Sequence, residues 1–78
     1  MSELQSTTRP VKRSFRIRGH ATSISLEAAF WEVLKEAAEA RRAPVADLVA
    51  EIDGARGDTN LSSAVRVWLL QYARGRAG

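Results

Sequence analysis

The fold is decided by residues 14–27, which read SFRIRGHATSISLE. Apolar and polar residues alternate along this stretch with the period of two that is typical of β-strands. The apolar positions are odd-numbered before Gly19 and even-numbered after His20. This change of parity predicts two short strands, Phe15–Arg18 and Thr22–Leu26, on either side of a turn.

A two-residue hairpin loop at residues 19–20 explains the change of parity. Glycine at the first loop position fits a type II′ turn. Because residues that face each other across a hairpin share one side of the sheet, Phe15 and Ile17 then lie on the buried face. Arg16 and Arg18 lie on the exposed face. A bulged continuous strand satisfies the same parity, so both arrangements stay open at this point.

Three segments after the strands show apolar residues at helical spacing. The first is Glu27–Arg42, which ends at the Ala-Pro step of residues 43–44 because proline disfavours helical conformation in the preceding residue. The second begins beside that proline and ends near Gly54. The third is Leu61–Ala73, with Asn60 as its N-cap. The sequence therefore predicts a mainly α fold with a short N-terminal β-element.

The 78 residues make at most one small domain. We expect a disordered N-terminal arm over residues 1–12, a folded domain over 13–74 and a frayed tail over 75–78. A chain of this size buries a modest fraction of its surface, and a sequence without cysteine has no disulfide to stabilise it. We therefore expect two or more copies to associate and complete the core.

The sequence shows no constellation of residues that would support catalysis or metal binding. It has one histidine and no cysteine, and it contains no glycine-rich phosphate loop. We predict that the protein is not an enzyme and uses neither cofactor nor metal. The longest apolar run, Val67–Leu70, is too short to span a membrane, and the N-terminus has no secretion signal. A cytoplasmic protein of bacterial type is expected.

Positive charge is concentrated near the N-terminus. The segment before residue 26 holds five basic residues and one acidic residue, a net charge of +4, while the remainder holds seven basic and eight acidic residues, a net charge of −1. A basic β-element that leads into amphipathic helices indicates a surface for a polyanion, and DNA is the polyanion that we expect. The candidate contacts in this element are Lys12, Arg13, Arg16 and Arg18. Alternatively, such charges only keep an edge strand from aggregating.

The order of elements resembles the ribbon-helix-helix family of bacterial DNA-binding proteins, the class of the Arc and MetJ repressors. The resemblance is carried by residues 22–34 (TSISLEAAFWEVL) and 45–52 (VADLVAEI). Residues 19–27 (GHATSISLE) and 60–64 (NLSSA) look more narrowly like a compact subgroup common in alphaproteobacteria. The resemblance implies a ribbon-helix-helix domain with a third C-terminal helix, assembled as an intertwined dimer.

The same resemblance implies how the protein meets DNA. One strand from each protomer of a homodimer, or of a higher oligomer, would pair antiparallel and enter the major groove of double-stranded DNA. Ser23 and Ser25 are the outward candidates on that strand, whereas Ala21 has no group that hydrogen-bonds a base. Ser25 is also placed to cap the first helix instead.

A phosphate contact at the start of the second helix is also implied by the resemblance, and the backbone of Val45 is its candidate. Arg41 and Arg42 precede the break between the helices. They would flank the same phosphate or, alternatively, only place positive charge at a helix C-terminus.

Four aromatic residues lie at helical spacing among Leu and Val, which favours core or dimer interface over stacking on single strands: Phe30, Trp31, Trp68 and Tyr72. Trp31 is expected to be the one of the adjacent pair that reaches an interface. The sequence as a whole predicts a DNA-binding, nucleoid-associated regulator of transcription. The alternative is a protein-interaction module or antitoxin-like protein that binds a protein partner with its helical face.

Overall fold

The structure is a computed structural model that describes residues 9–77. Two antiparallel strands, β1 (Pro10–Ile17) and β2 (His20–Glu27), form a hairpin. Three helices follow: α1 (Ala28–Ala40), α2 (Val45–Ala55) and α3 (Leu61–Ala77). The predicted architecture, mainly α with an N-terminal β-element and a third helix, is confirmed, and the β-element is a hairpin.

The hairpin turns at Arg18 and Gly19, one residue earlier than predicted. Ile17 pairs with His20, and the two residues between them have positive φ angles of 53° and 82°. Positive φ at both central positions defines a type I′ turn, whose twist matches that of the flanking strands. The predicted type II′ turn at residues 19–20 was therefore wrong. The pairing moves by an even number of residues, so the predicted faces persist, with Ile17 and Ile24 buried.

The ends of the folded region also differ from the predictions. β1 begins at Pro10, so the end of the arm predicted as disordered over residues 1–12 is strand, and residues 1–8 lie outside the described residues. α3 continues to Ala77, so the tail predicted to fray over 75–78 is helical as far as its description extends. The predicted N-cap of α3 is confirmed, since the Ser63 N–H donates to Asn60 Oδ1 at 3.3 Å.

The core forms where the inner face of the hairpin meets the three helices. Its fully buried large side chains come from β2 and from every helix: Ile24, Leu26, Leu34, Leu48, Val49, Val65 and Leu69. No polar side chain is buried among residues 9–76. Trp31 is buried within the protomer while its neighbour Phe30 is half-buried, which reverses the order expected from the sequence.

α1 ends in a Schellman motif with Arg42 in the left-handed conformation. The Ala43 N–H donates to the Ala38 carbonyl at 3.0 Å, and the Arg42 N–H donates to the Glu39 carbonyl at 2.9 Å. The φ angle of Arg42 is 56°, a region in which a Cβ collides with the backbone.

Replacing Arg42 with glycine should raise the free energy of unfolding by about 1 kcal/mol, because glycine adopts this conformation without that collision. Urea denaturation followed by circular dichroism measures the change. Ala40→Gly is the matched control inside the same helix and should lower the free energy of unfolding by about 0.5–1 kcal/mol. A loss of stability in Arg42→Gly would contradict the assignment.

Candidate nucleic-acid interface

The outer face of the hairpin is a polar surface with positive charge at both ends of β1. We define it by three opposed pairs of residues: Lys12 with Ser25, Ser14 with Ser23, and Arg16 with Ala21. All six side chains are exposed except that of Ser25, which is half-buried. The sequence has no acidic residue between positions 9 and 26, so no carboxylate from this stretch neutralises Lys12 or Arg16.

The centre of the outer face is a pair of hydroxyl groups. Ser14 Oγ lies 3.2 Å from Ser23 Oγ across the two strands, and this contact is exposed. At the turn end, Arg16 Nη1 donates to the Gly19 carbonyl oxygen at 3.3 Å. The alanine opposite Arg16 adds no hydrogen-bonding group. The outer face therefore offers two cations and three hydroxyls from each hairpin, of which the Ser25 hydroxyl belongs to a half-buried residue.

Arg13 lies on the opposite face from Lys12 and Arg16. Its odd position in β1 directs it to the side of Phe15 and Ile17, and its guanidinium carbon is 5.4 Å from the centroid of the Trp31 ring. It lines a groove between β1 and α1. The structure therefore separates Arg13 from the basic residues with which the sequence grouped it.

Arg18 also lies away from the outer face. It is one of the two turn residues, and its side chain lies over Gly54 near the end of α2, where a Cβ added to the glycine would be 2.8 Å from Arg18 Nη2. A cation is favourable at a helix C-terminus because of the helix dipole. Arg18 therefore lies beside the C-terminal end of α2, and its contact with DNA stays a prediction.

The edge of β2 is held at Ser25 by two residues of α3, Ser62 and Arg66, which we call the α3 clasp. The Ser25 N–H donates to Ser62 Oγ at 3.2 Å, and Arg66 Nη2 donates to the Ser25 carbonyl oxygen at 3.1 Å. Ser25 does not cap α1, whose N-cap residue is Glu27 and has no side-chain cap. Ser25 is separated from Ser62 by 37 positions along the chain and from Arg66 by 41. Sequence periodicity does not reveal contacts between segments so far apart.

The clasp also neutralises the acid at the end of β2. Arg66 Nε donates to Glu27 Oε1 at 3.1 Å. A hydrogen bond from the backbone of Glu27 itself and the hydrogen bond from Arg66 hold the pKa of the Glu27 carboxyl below its ordinary value. Because the folded-state pKa is lowered, this contribution to stability is present above the ordinary pKa of 4.5 and is lost as the pH falls below it.

The phosphate contact predicted at Arg41, Arg42 and Val45, between α1 and α2, stays a prediction. Arg41 donates to Glu51 at 2.7 Å and lies 5.3 Å from the Trp68 ring, so it links the three helices. Arg42 is exposed. Val45 begins α2, but Asp47 follows in the first turn, and its carboxylate repels an anion there. The sequence itself carried this signal, two residues after Val45.

Comparisons with known proteins place the fold. The family model described as "Ribbon-helix-helix domain" matches residues 10–73. A solved structure of an uncharacterised protein from Bordetella pertussis Tohama I is 35% identical, with a TM-score of 0.81 over 94% of this chain. The chain spans 62% of that protein's length. No curated protein gives a significant match.

The chain belongs to the ribbon-helix-helix family, as the resemblance of residues 22–34 and 45–52 predicted. Ribbon-helix-helix domains are typical of DNA-binding regulators of transcription and of antitoxin-type proteins. Within residues 9–77, no helix is long and apolar enough to cross a membrane.

Proposed function

We propose that the protein is a dimeric regulator of transcription that binds double-stranded DNA through the outer face of its hairpin. The observation that supports this most directly is the position of Lys12 and Arg16 on one exposed face, with the hydroxyls of Ser14 and Ser23 between them. The acid at the end of that face, Glu27, is paired with Arg66. Within residues 9–77, the face therefore presents positive charge and no unpaired carboxylate to an approaching polyanion.

The two kinds of side chain on this face have separate roles in the proposal. The cations contact phosphate oxygens, which supplies affinity and fixes the orientation of the protein but carries no sequence information. The hydroxyl of Ser23, on β2, faces the base edges. A hydroxyl donates or accepts, and Ala21 contributes no hydrogen bond, so discrimination between base pairs is expected to be modest. Non-specific, salt-sensitive binding is therefore a large part of the affinity.

Binding to a fluorescently labelled duplex should weaken steeply as salt is added. Two cations in each protomer make four phosphate contacts in a dimer, so log K against log salt should have a slope of about −4. Fluorescence anisotropy across a salt series measures this slope, and an uncharged fluorescent probe serves as the control. Failure to bind any duplex at low salt would exclude the proposed function.

A protein partner is the second candidate, because α3 carries exposed apolar side chains. Val67 and Leu70 are 54% and 55% exposed, which is high for large hydrophobic residues, and Val67 borders a groove between α2 and α3. Such a surface suits an interaction module or an antitoxin-like protein. The salt series separates the two candidate functions. If the protein does not bind DNA at low salt, binding of a protein partner through this surface of α3 is the candidate that remains.

A further inference from the structure

We propose that a second copy of the chain pairs with β2 in a single register centred on Thr22, because the α3 clasp closes the rest of that edge. The inference rests on the proposed dimer and adds the position of its twofold axis. It follows from which backbone groups of β2 are already bonded and which remain open.

The turn fixes the direction of every backbone group in β2. The pair that flanks a two-residue turn, here Ile17 with His20, exchanges hydrogen bonds, and bonded and non-bonded pairs then alternate along an antiparallel ladder. Thr22 and Ile24 therefore bond to β1. The N–H and C=O groups of the alternate residues point to the opposite edge of β2: Ala21, Ser23 and Ser25.

The α3 clasp confirms this direction and closes part of the edge. Both backbone groups of Ser25 are bonded to Ser62 and Arg66 rather than to β1. α3 thus occupies the position that an added strand would take beside Ser25. The edge of β2 that remains open for another strand is the part with Ala21 and Ser23.

Two copies can satisfy this short edge mutually. With the twofold axis at Thr22, Ala21 of each copy lies opposite Ser23 of the other, and each of these two pairs exchanges both hydrogen bonds. Thr22 faces Thr22 of the second copy, a favourable cross-strand pair. The hairpin of the second copy turns away at Gly19, which lies opposite Ser25, so its chain leaves the sheet where the clasp begins.

Two other symmetric choices, an axis at Ser23 and an axis at Ser14, conflict with contacts or charges already in place. An axis at Ser23 would pair Ala21 with Ser25, whose backbone groups the clasp holds. An axis at Ser14, on the free edge of β1, would set Lys12 directly opposite Arg16 of the second copy. Like charges facing each other across strands destabilise the pair, and charge on an edge strand is a common barrier to pairing.

The proposed register gives the DNA-facing surface a definite form. The dimer has a four-stranded sheet with the two β2 strands in the centre and the two β1 strands outside. The β1 strands are then about 14 Å apart, three strand spacings, which is comparable with the width of about 12 Å of the major groove. Lys12 and Arg16 therefore lie over the phosphates on either side, while Ser23 faces the groove.

Single-cysteine variants test the register directly, since the natural sequence contains no cysteine. Two residues at position 22 would have Cα atoms about 4.5 Å apart, within the range that a disulfide bridges. Residues at position 23 would be diagonal neighbours about 7–8 Å apart, beyond that range. Under mild oxidation, Thr22→Cys should therefore give a covalent dimer on non-reducing gels, while Ser23→Cys and Ser14→Cys should remain single chains.

Efficient cross-linking of Ser23→Cys or Ser14→Cys in place of Thr22→Cys would overturn the register, and so would the absence of cross-linking in all three. The assay contains no DNA. If Thr22→Cys cross-links but the protein binds no duplex in the salt series, the proposed dimer would stand and only the proposed DNA-binding function would be excluded.

The role of the clasp needs a second comparison. Ser62→Ala with Arg66→Ala frees the backbone of Ser25, so the register centred on Ser23 becomes available and Ser23→Cys should begin to cross-link. Ser63→Ala with Arg74→Ala, two exposed positions on α3, is the matched control and should leave the pattern unchanged. Circular dichroism checks that both variants fold. An unchanged cross-linking pattern in the clasp variant would show that α3 does not set the register.

Discussion

Replacement of Trp31 with alanine should lower the free energy of unfolding by about 4 kcal/mol and release β1 from the helices. The side chain is 5% exposed, its ring centroid lies 6.0 Å from that of Phe15, and its Nε1 donates to the Val11 carbonyl oxygen at 2.9 Å. Truncation of a buried aromatic residue leaves a cavity, and here it also removes the hydrogen bond to β1. Small domains are stable by about 5–15 kcal/mol, so the loss is a large part of the total.

Urea denaturation gives the size of this effect, and hydrogen exchange locates it. Trp31→Phe is the matched control, because it keeps most of the ring and removes the indole N–H, at a cost of about 1 kcal/mol. The amides of β1 should exchange faster in Trp31→Ala than those of α2. Equal protection of β1 in the variant and the natural protein would show that pairing with β2 alone holds the strand in place.

The fold was largely predictable because its signals are local. Alternation of Phe15 and Ile17 with polar residues fixed the buried face of β1, and Asn60 marked the start of α3 as predicted. The turn was misplaced because a glycine serves either position of a two-residue loop. The type I′ turn requires a positive φ at Arg18. Arginine in the sequence does not indicate this conformation, whereas asparagine, which is preferred at this position, would.

The candidate site was only partly predictable, because it depends on contacts between distant segments. Parity alone separates Arg13 from Arg16, since an odd position in β1 shares the face of Phe15. The grouping of basic residues by nearness in sequence obscured this signal. The clasp of Ser62 and Arg66 on β2 had no comparable local signal, because helical spacing shows which residues share a face but not which strand that face meets.

Removal of both cations from the outer face should weaken duplex binding on the order of a hundredfold at physiological salt. The variant is Lys12→Ala with Arg16→Ala, which takes four charges from a dimer. If these side chains make the phosphate contacts, the magnitude of the slope of log K against log salt should decrease by about four as well. Both residues are exposed, and the Arg16 contact with the Gly19 carbonyl is an exposed one, so the stability of the fold should change little.

The control for this variant removes the same charge from the other side of the hairpin. Arg13 and Lys35 line the groove between β1 and α1, and Arg13→Ala with Lys35→Ala lowers the net charge equally. Long-range attraction by net charge would make the two variants bind alike, whereas contact through the outer face predicts a hundredfold loss in the first and a small one in the second. Equal losses of affinity in the two variants would show that the hairpin contributes to DNA binding only through its net charge. A larger loss of affinity in Arg13→Ala with Lys35→Ala would show that DNA binds at the groove beside Trp31, on the face opposite to the outer face of the hairpin.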